Sequence, residues 1–192
     1  MQTIEFTPAE MATRIARFAD LAPLPTQAAN DIPLAAKDVV YARKLLSVIG
    51  LDDAAATPIS SGAPIRGAAG MTMTMAVCPP GQGPDLHAHA KTYETFTVLR
   101  GTFEFRWNDD GGERAVLREF DTISIPPGVC RAFRNVGDSE GIVQVLITGG
   151  VHDMSDIDFA TGVADKLAAI EPRARAYFEQ AGFTFTAGAA QN

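Results

Sequence analysis

The sequence predicts an all-β fold, a barrel or sandwich of short strands, with helical extensions at its N- and C-terminal ends. Apolar residues recur with period two in the middle of the chain. Met71, Met73, Met75 and Val77 alternate with Thr72, Thr74 and Ala76 until Cys78, Pro79 and Pro80 end the run. Further short runs follow at close spacing, joined by Gly, Pro and Asp turns, as sandwiches and barrels require. No segment between residues 71 and 148 has the length and period of a crossover helix, which argues against a parallel sheet.

Taken in order, Thr7, Pro8 and Glu10 spell a helix start in which the Thr hydroxyl and the Glu carboxylate cap each other's backbone amides. Met11, Ile15, Phe18 and Leu21 recur at helical spacing, so a helix of about three turns is expected through Leu21, with one face packed and Arg14 and Arg17 in water. A second helical stripe runs from Ala35 to Ile49 and ends at Gly50, although Val39 and Val40 also suit a strand. Residues 52–70 read as loop and linker. After the Met71 strand, Phe96 and Val98, then Phe103, Phe105 and Trp107, alternate around a break at Gly101. Asn108 to Gly112 supplies a hairpin turn, and the pattern continues at Val116, Thr122–Ile125 and Ile142–Thr148. Helices are expected over Thr161–Ile170 and Pro172–Gln180, the latter stopped by Gly182, with a loose tail beyond Thr186. The expected organisation is an arm and linker over 1–63, a barrel over 64–151, and C-terminal helices and tail over 152–192.

With 46% hydrophobic and 20% charged residues the chain has the make-up of a folding protein. A net charge of -7 offers no basic surface for phosphates, so small molecules or other proteins are better partners than nucleic acid or an anionic membrane. No run approaches membrane-spanning length, and the N-terminus lacks the apolar core of a secretory signal. Cys78 and Cys130 form neither a disulfide framework nor a zinc motif, and read as free thiols of a reducing, cytoplasmic setting.

The chemistry concentrates at His87-Ala88-His89, followed by Glu94. On an extended segment, spacing i, i+2 puts both imidazoles on one face. A carboxylate five residues later completes a cluster suited to iron, manganese, nickel, cobalt or zinc, with positions left open for water or substrate. Isolated histidine pairs also serve as ordinary core hydrogen-bonding groups, so the surroundings matter.

Those surroundings resemble the cupin superfamily. Gly81, His87, His89, Glu94 and Gly101 fit its first motif, G(x)5HxH(x)3-4E(x)6G, at every spacing. Pro126, Gly128 and Asn135 fit the second, G(x)5PxG(x)2H(x)3N, at the right intervals. Two positions depart from it: Phe120 stands at the Gly and Arg131 at the His, which is the family's remaining metal ligand. The resemblance implies a double-stranded β-helix, or jelly-roll, barrel from about Pro64 to Gly150, a divalent metal on His87, His89 and Glu94, and a homodimer whose arms cover sheet edges.

Arginine cannot ligate a metal. At about 4 Å and an effective dielectric of about 20, a guanidinium and a divalent ion repel by about 8 kcal/mol. Arg131 must therefore turn away, pair with Glu94, or face an anionic ligand. Three readings follow. A three-ligand metal acts on a small organic anion that Arg131 orients or whose developing charge it stabilises, in a dioxygenase, decarboxylase or isomerase reaction. Alternatively, no metal binds and the barrel holds or senses a small ligand, or the polar groups merely satisfy one another. Met73, Met75, Phe96, Phe103 and Phe105 are the candidate pocket walls, and His152 is a candidate substitute ligand or base.

Overall fold

Strand-forming alternation over residues 71–148 produces an eight-stranded barrel, to which the flanking segments add two strands at each end. A computed structural model describes residues 1–28, 31–51, 62–67, 70–149 and 154–189. The N-terminal part holds α1 (Pro8–Ala12), α2 (Pro25–Ala28), α3 (Leu34–Val40), β1 (Lys44–Gly50) and β2 (Ile65–Arg66). The barrel comprises β3 (Met71–Cys78), β4 (His87–His89), β5 (Tyr93–Arg100), β6 (Phe103–Trp107), β7 (Glu113–Leu117), β8 (Thr122–Ile125), β9 (Arg131–Asn135) and β10 (Gly141–Thr148). The chain then adds β11 (Ile157–Ala160), α4 (Thr161–Ile170), α5 (Ala174–Gln180) and β12 (Thr184–Ala187).

One sheet runs β2-β1-β3-β10-β5-β8 and the other β12-β11-β4-β9-β6-β7. Successive barrel strands are dealt between the two facing sheets, save the β6–β7 hairpin, which stays within one, and every pairing is antiparallel except β1 with β2 and β11 with β12. This is the double-stranded β-helix. Phe96, Val98, Phe103, Phe105, Phe133, Val143 and Val145 fill the space between the sheets. A second core gathers α3, β11, α4, α5 and β12 around Tyr41, Phe159, Leu167, Phe178 and Phe183.

Several expectations are corrected. The reciprocal Thr7–Glu10 cap is present, with Thr7 N 2.7 Å from Glu10 Oε2 and Glu10 N 3.3 Å from Thr7 Oγ1, yet α1 stops at Ala12. Thr13 Oγ1 donates to the Glu10 carbonyl, and Met11, Ile15 and Phe18 are exposed, so nothing pays the cost of extending the helix. The 35–49 stripe divides: α3 takes its first part, Tyr41 is extended, and β1 follows because β3 offers an antiparallel partner from Lys44↔Val77 onward. Within the expected linker, Ile65–Arg66 is a strand. Residues 52–61 and 68–69 lie outside the described residues.

The helix expected over Thr161–Ile170 forms within those bounds, and the second starts at Ala174. Neither β11 nor β12 was expected, and β12 reaches Ala187 because Thr186 bonds to the Asp158 carboxylate through both its amide and its hydroxyl. Phe120 has φ +72, a left-handed conformation that favours glycine, which explains the residue type the second motif places there.

Candidate metal centre

Strand β4 is three residues long, and its pleat turns His87 and His89 inward, buried, while Ala88 faces the other way. Glu94 enters from β5 of the opposite sheet, also buried. The Nε2 atoms of His87 and His89 each lie 3.7 Å from Glu94 Oε2, and one ligand atom from each of the three residues falls within 4.8 Å of the others.

The far side of each ring sets its tautomer. His87 Nδ1 lies 2.8 Å from the Asp85 carbonyl oxygen, which only accepts, so Nδ1 carries the proton. His89 Nδ1 lies 3.0 Å from Asp156 Oδ2 and 3.0 Å from Thr92 Oγ1. The Thr92 hydroxyl in turn donates to Asp156 Oδ2 at 2.5 Å, leaving the imidazole as donor to the carboxylate. Both rings therefore present Nε2 lone pairs toward Glu94, as metal-ligating histidines backed by carbonyl or carboxylate groups do. Burial lowers the pKa of His89, with smaller opposing effects from Glu94 and Asp156, so the ring is uncharged at neutral pH.

Arg131 sits on β9 opposite His87 and is 0% exposed. Its Nε donates to Glu94 Oε2 at 2.9 Å and its Nη1 to the Val129 carbonyl at 3.1 Å, while Nη2 has no acceptor among the described residues. Burial pushes Glu94 upward, but a protonated His89 and Arg131 more than reverse this and hold it well below the usual carboxylate range. With His89 uncharged at neutral pH, Arg131 is the cation that keeps Glu94 ionised. Asp156 is likewise pushed up by burial and brought below its usual range by hydrogen bonds from His89, Thr92 and the Lys91 amide.

Residues 74–147 match the family profile described as a cupin domain. The barrel is a cupin domain. No curated protein matches the chain in sequence. Among solved structures, the chain is similar to a Bacillus halodurans protein (15% identity, TM-score 0.43, 46% of this chain and 69% of that one). It is similar also to a Klebsiella pneumoniae protein with a double-stranded β-helix domain (23%, 0.40, 43% and 70%). A third is a predicted oxalate decarboxylase from Thermotoga maritima (22%, 0.38, 41% and 66%).

In this cupin barrel an apolar cavity of about 70 Å³ opens on the three donors, walled by Tyr41, Phe133, Ile147, Ile157, Phe159 and Phe183 among others. At about 10–15 Å³ per water this is room for about five to seven water-sized groups. The strand β3 contributes Thr74 and Ala76 to the wall, while Met73 and Met75 alternate onto its other, half-exposed face, where Gln144 meets the Met73 sulfur. Phe96, Phe103 and Phe105 are fully buried in the barrel core behind Phe133, with ring centroids 5.1–6.0 Å apart, and do not line the cavity. His152 lies outside the described residues. Both cysteines are free and buried, and burial pushes Cys78 up to about 12 and Cys130 up to about 11, so neither is a thiolate at neutral pH.

Sequence reasoning missed Asp156, Thr92 and the aromatic walls. Phe133 had a signal, since it lies two residues after Arg131 and so on the same face of β9. Asp156 had none.

Proposed function

We propose that the chain is a metal-dependent cupin enzyme acting on a small organic anion, of the dioxygenase, decarboxylase or isomerase type. One observation carries this: two imidazole lone pairs, each fixed by a bond on the far side of its ring, converge with a buried ionised carboxylate at the end of an apolar cavity. This donor set, two nitrogens and an oxygen, fits a divalent transition ion such as iron, manganese, nickel, cobalt or zinc. His87, His89 and Glu94 would hold it. Bound there, the ion supplies Lewis-acid polarisation of a substrate oxygen.

The chain's own residues do the rest. Arg131 keeps Glu94 ionised and oriented; it stands behind Glu94 rather than on the cavity wall, and its Nη2, without an acceptor among the described residues, is the donor left for an anion that reaches past the lining. Phe133, Phe159 and Phe183 exclude water from the reacting end and set an upper size for the substrate's body. We place the protein in a reducing, cytoplasmic setting as a homodimer, its exposed Ile4, Phe6, Met11, Ile15 and Phe18 covered by the partner.

Protein purified without a histidine tag is expected to hold close to one divalent ion per chain, and His87→Ala to lose it. Substoichiometric metal, together with no thermal shift on adding iron, manganese, nickel or zinc, would sink the reading. A second reading has its own support: the Arg131–Glu94 pair already neutralises the carboxylate without any ion, as a metal-free binding barrel requires. The same titration separates the two.

A further inference from the structure

Resting on the metal reading above, we propose that the C-terminal extension is part of the metal centre, because Asp156 fixes His89 as the Nδ1–H tautomer and so keeps Nε2 free to ligate. Asp156 is a positioning residue: it touches the ligand's far side rather than the centre itself. It lies beyond residues 74–147, the stretch matched as a cupin domain, and its partner His89 is 67 residues away in sequence.

Three features carry the proposal. The first is satisfaction. Asp156 is 1% exposed, and its two oxygens accept from three donors: the Lys91 amide at 2.6 Å, the Thr92 hydroxyl at 2.5 Å and His89 Nδ1 at 3.0 Å. A carboxylate that only accepts, already bonded to a hydroxyl that donates to it, leaves the imidazole no role but donor.

The second is placement. The extension runs along the metal strand itself, with Ile157 in register with His89 and Phe159 with His87, and the Ala90 amide donating to the Asp156 carbonyl at 2.8 Å. This holds the carboxylate by backbone pairing rather than by a free loop. The third is continuity with the cavity. The same strand contributes Ile157 and Phe159 to its wall, the Phe159 ring lying 5.2 Å from that of His87, and Phe183 follows from the second core. Without the extension, β4 would be an exposed edge, His89 would lose its charged partner, and the cavity would lose one side.

A purely structural staple would also use these bonds, so the test must read the ring. In metal-free wild type, long-range nitrogen–proton correlation NMR is expected to show His89 protonated at Nδ1 with Nε2 bare. Asp156→Asn replaces one acceptor oxygen with an amide donor. It should populate the Nε2–H form and weaken zinc or manganese binding, measured by calorimetry, about 10–100-fold. Thr92→Val removes an equally buried polar group but leaves the carboxylate, and should keep the Nδ1–H form.

A metal-free wild type protonated at Nε2, or an Asp156→Asn protein with wild-type tautomer and affinity, overturns the proposal. So does a Thr92→Val protein that loses the Nδ1–H form. Should Asp156→Asn not fold, Asp156→Ala, which leaves room for water in the side chain's place, is read the same way. Wild-type protein that binds no divalent ion refutes the metal reading alone, because the tautomer is judged without metal.

Discussion

Arg131 and Glu94 together bring a charge pair into a space where both are buried, and the centre's behaviour follows from how far each satisfies the other. Removing only the cation is the costly change, since it strands an ionised carboxylate away from water. Arg131→Met is therefore expected to lower the stability of the metal-free protein by about 3–5 kcal/mol in urea unfolding, and Arg131→Met with Glu94→Leu to recover much of that loss. Because the substitution also removes a positive charge beside the site, the stability of Arg131→Met should become strongly dependent on added divalent metal. A metal-independent loss would place Arg131's role elsewhere. At this scale the sequence was most legible where spacing is geometry: His87 and His89 two apart on a strand, with Glu94 close behind, converge as alternation requires. The partners that orient them were not legible: His87 meets the backbone carbonyl of Asp85, which no residue type announces. His89 depends on a residue from a segment whose approach no spacing rule encodes.

Between residue and fold, strand β3 shows what alternation settles and what it leaves open. Period two established that Met71, Met73 and Met75 share one face and Thr72, Thr74 and Ala76 the other. Hydropathy alone favours burying the methionines. The structure buries the small residues, because the opposite wall, with Phe133 and the histidines, already fills the barrel and leaves room only for Thr74 and Ala76 beside the cavity. The 35–49 segment failed for a related reason: a helical stripe and a strand face can contain the same residues, and pairing with β3, about thirty residues later, decides which forms. The close passage of the chain leading into β4 against β9 yields a test. A Cβ at Gly83 would meet the Phe133 carbonyl oxygen at 2.0 Å and its carbonyl carbon at 2.8 Å, both backbone atoms that cannot rotate away. Gly83→Ala must displace one strand from the other, at a cost of about 3 kcal/mol in urea unfolding. Because the displaced strand carries Arg131 and Phe133, metal affinity should fall in the same variant. An unchanged unfolding midpoint would mean that the two segments are not in contact.

The whole molecule has two cores that meet at the site, and two buried carboxylates fasten it: Glu94 links the facing sheets of the barrel through Arg131, and Asp156 links the C-terminal extension to β4 and the turn after it. Both are held ionised below their ordinary ranges in the folded protein. A depressed folded-state pKa stabilises fully above the unfolded value, about 4 for a carboxylate, and that stability is lost as pH falls from there toward the folded-state pKa. General charge acts in the opposite sense over the range above it. The chain carries -7 at pH 7 with a pI near 4.9, so acidification from pH 7 to about 5 relieves self-repulsion. His89 opposes that relief: burial lowers its pKa in the fold, so as pH falls through about 6.5 the unfolded chain takes up a proton that the fold does not. The metal-free protein is therefore expected not to gain in thermal midpoint between pH 7 and 5 and to lose it steeply below about pH 4. In Asp156→Asn one of the two fastenings no longer titrates, so its stability should start lower at pH 7 and fall less between pH 4 and pH 3 than that of wild type. Parallel curves for the two proteins across that interval would show that Asp156 is not ionised in the fold, and that the joint between the cores is held by packing alone.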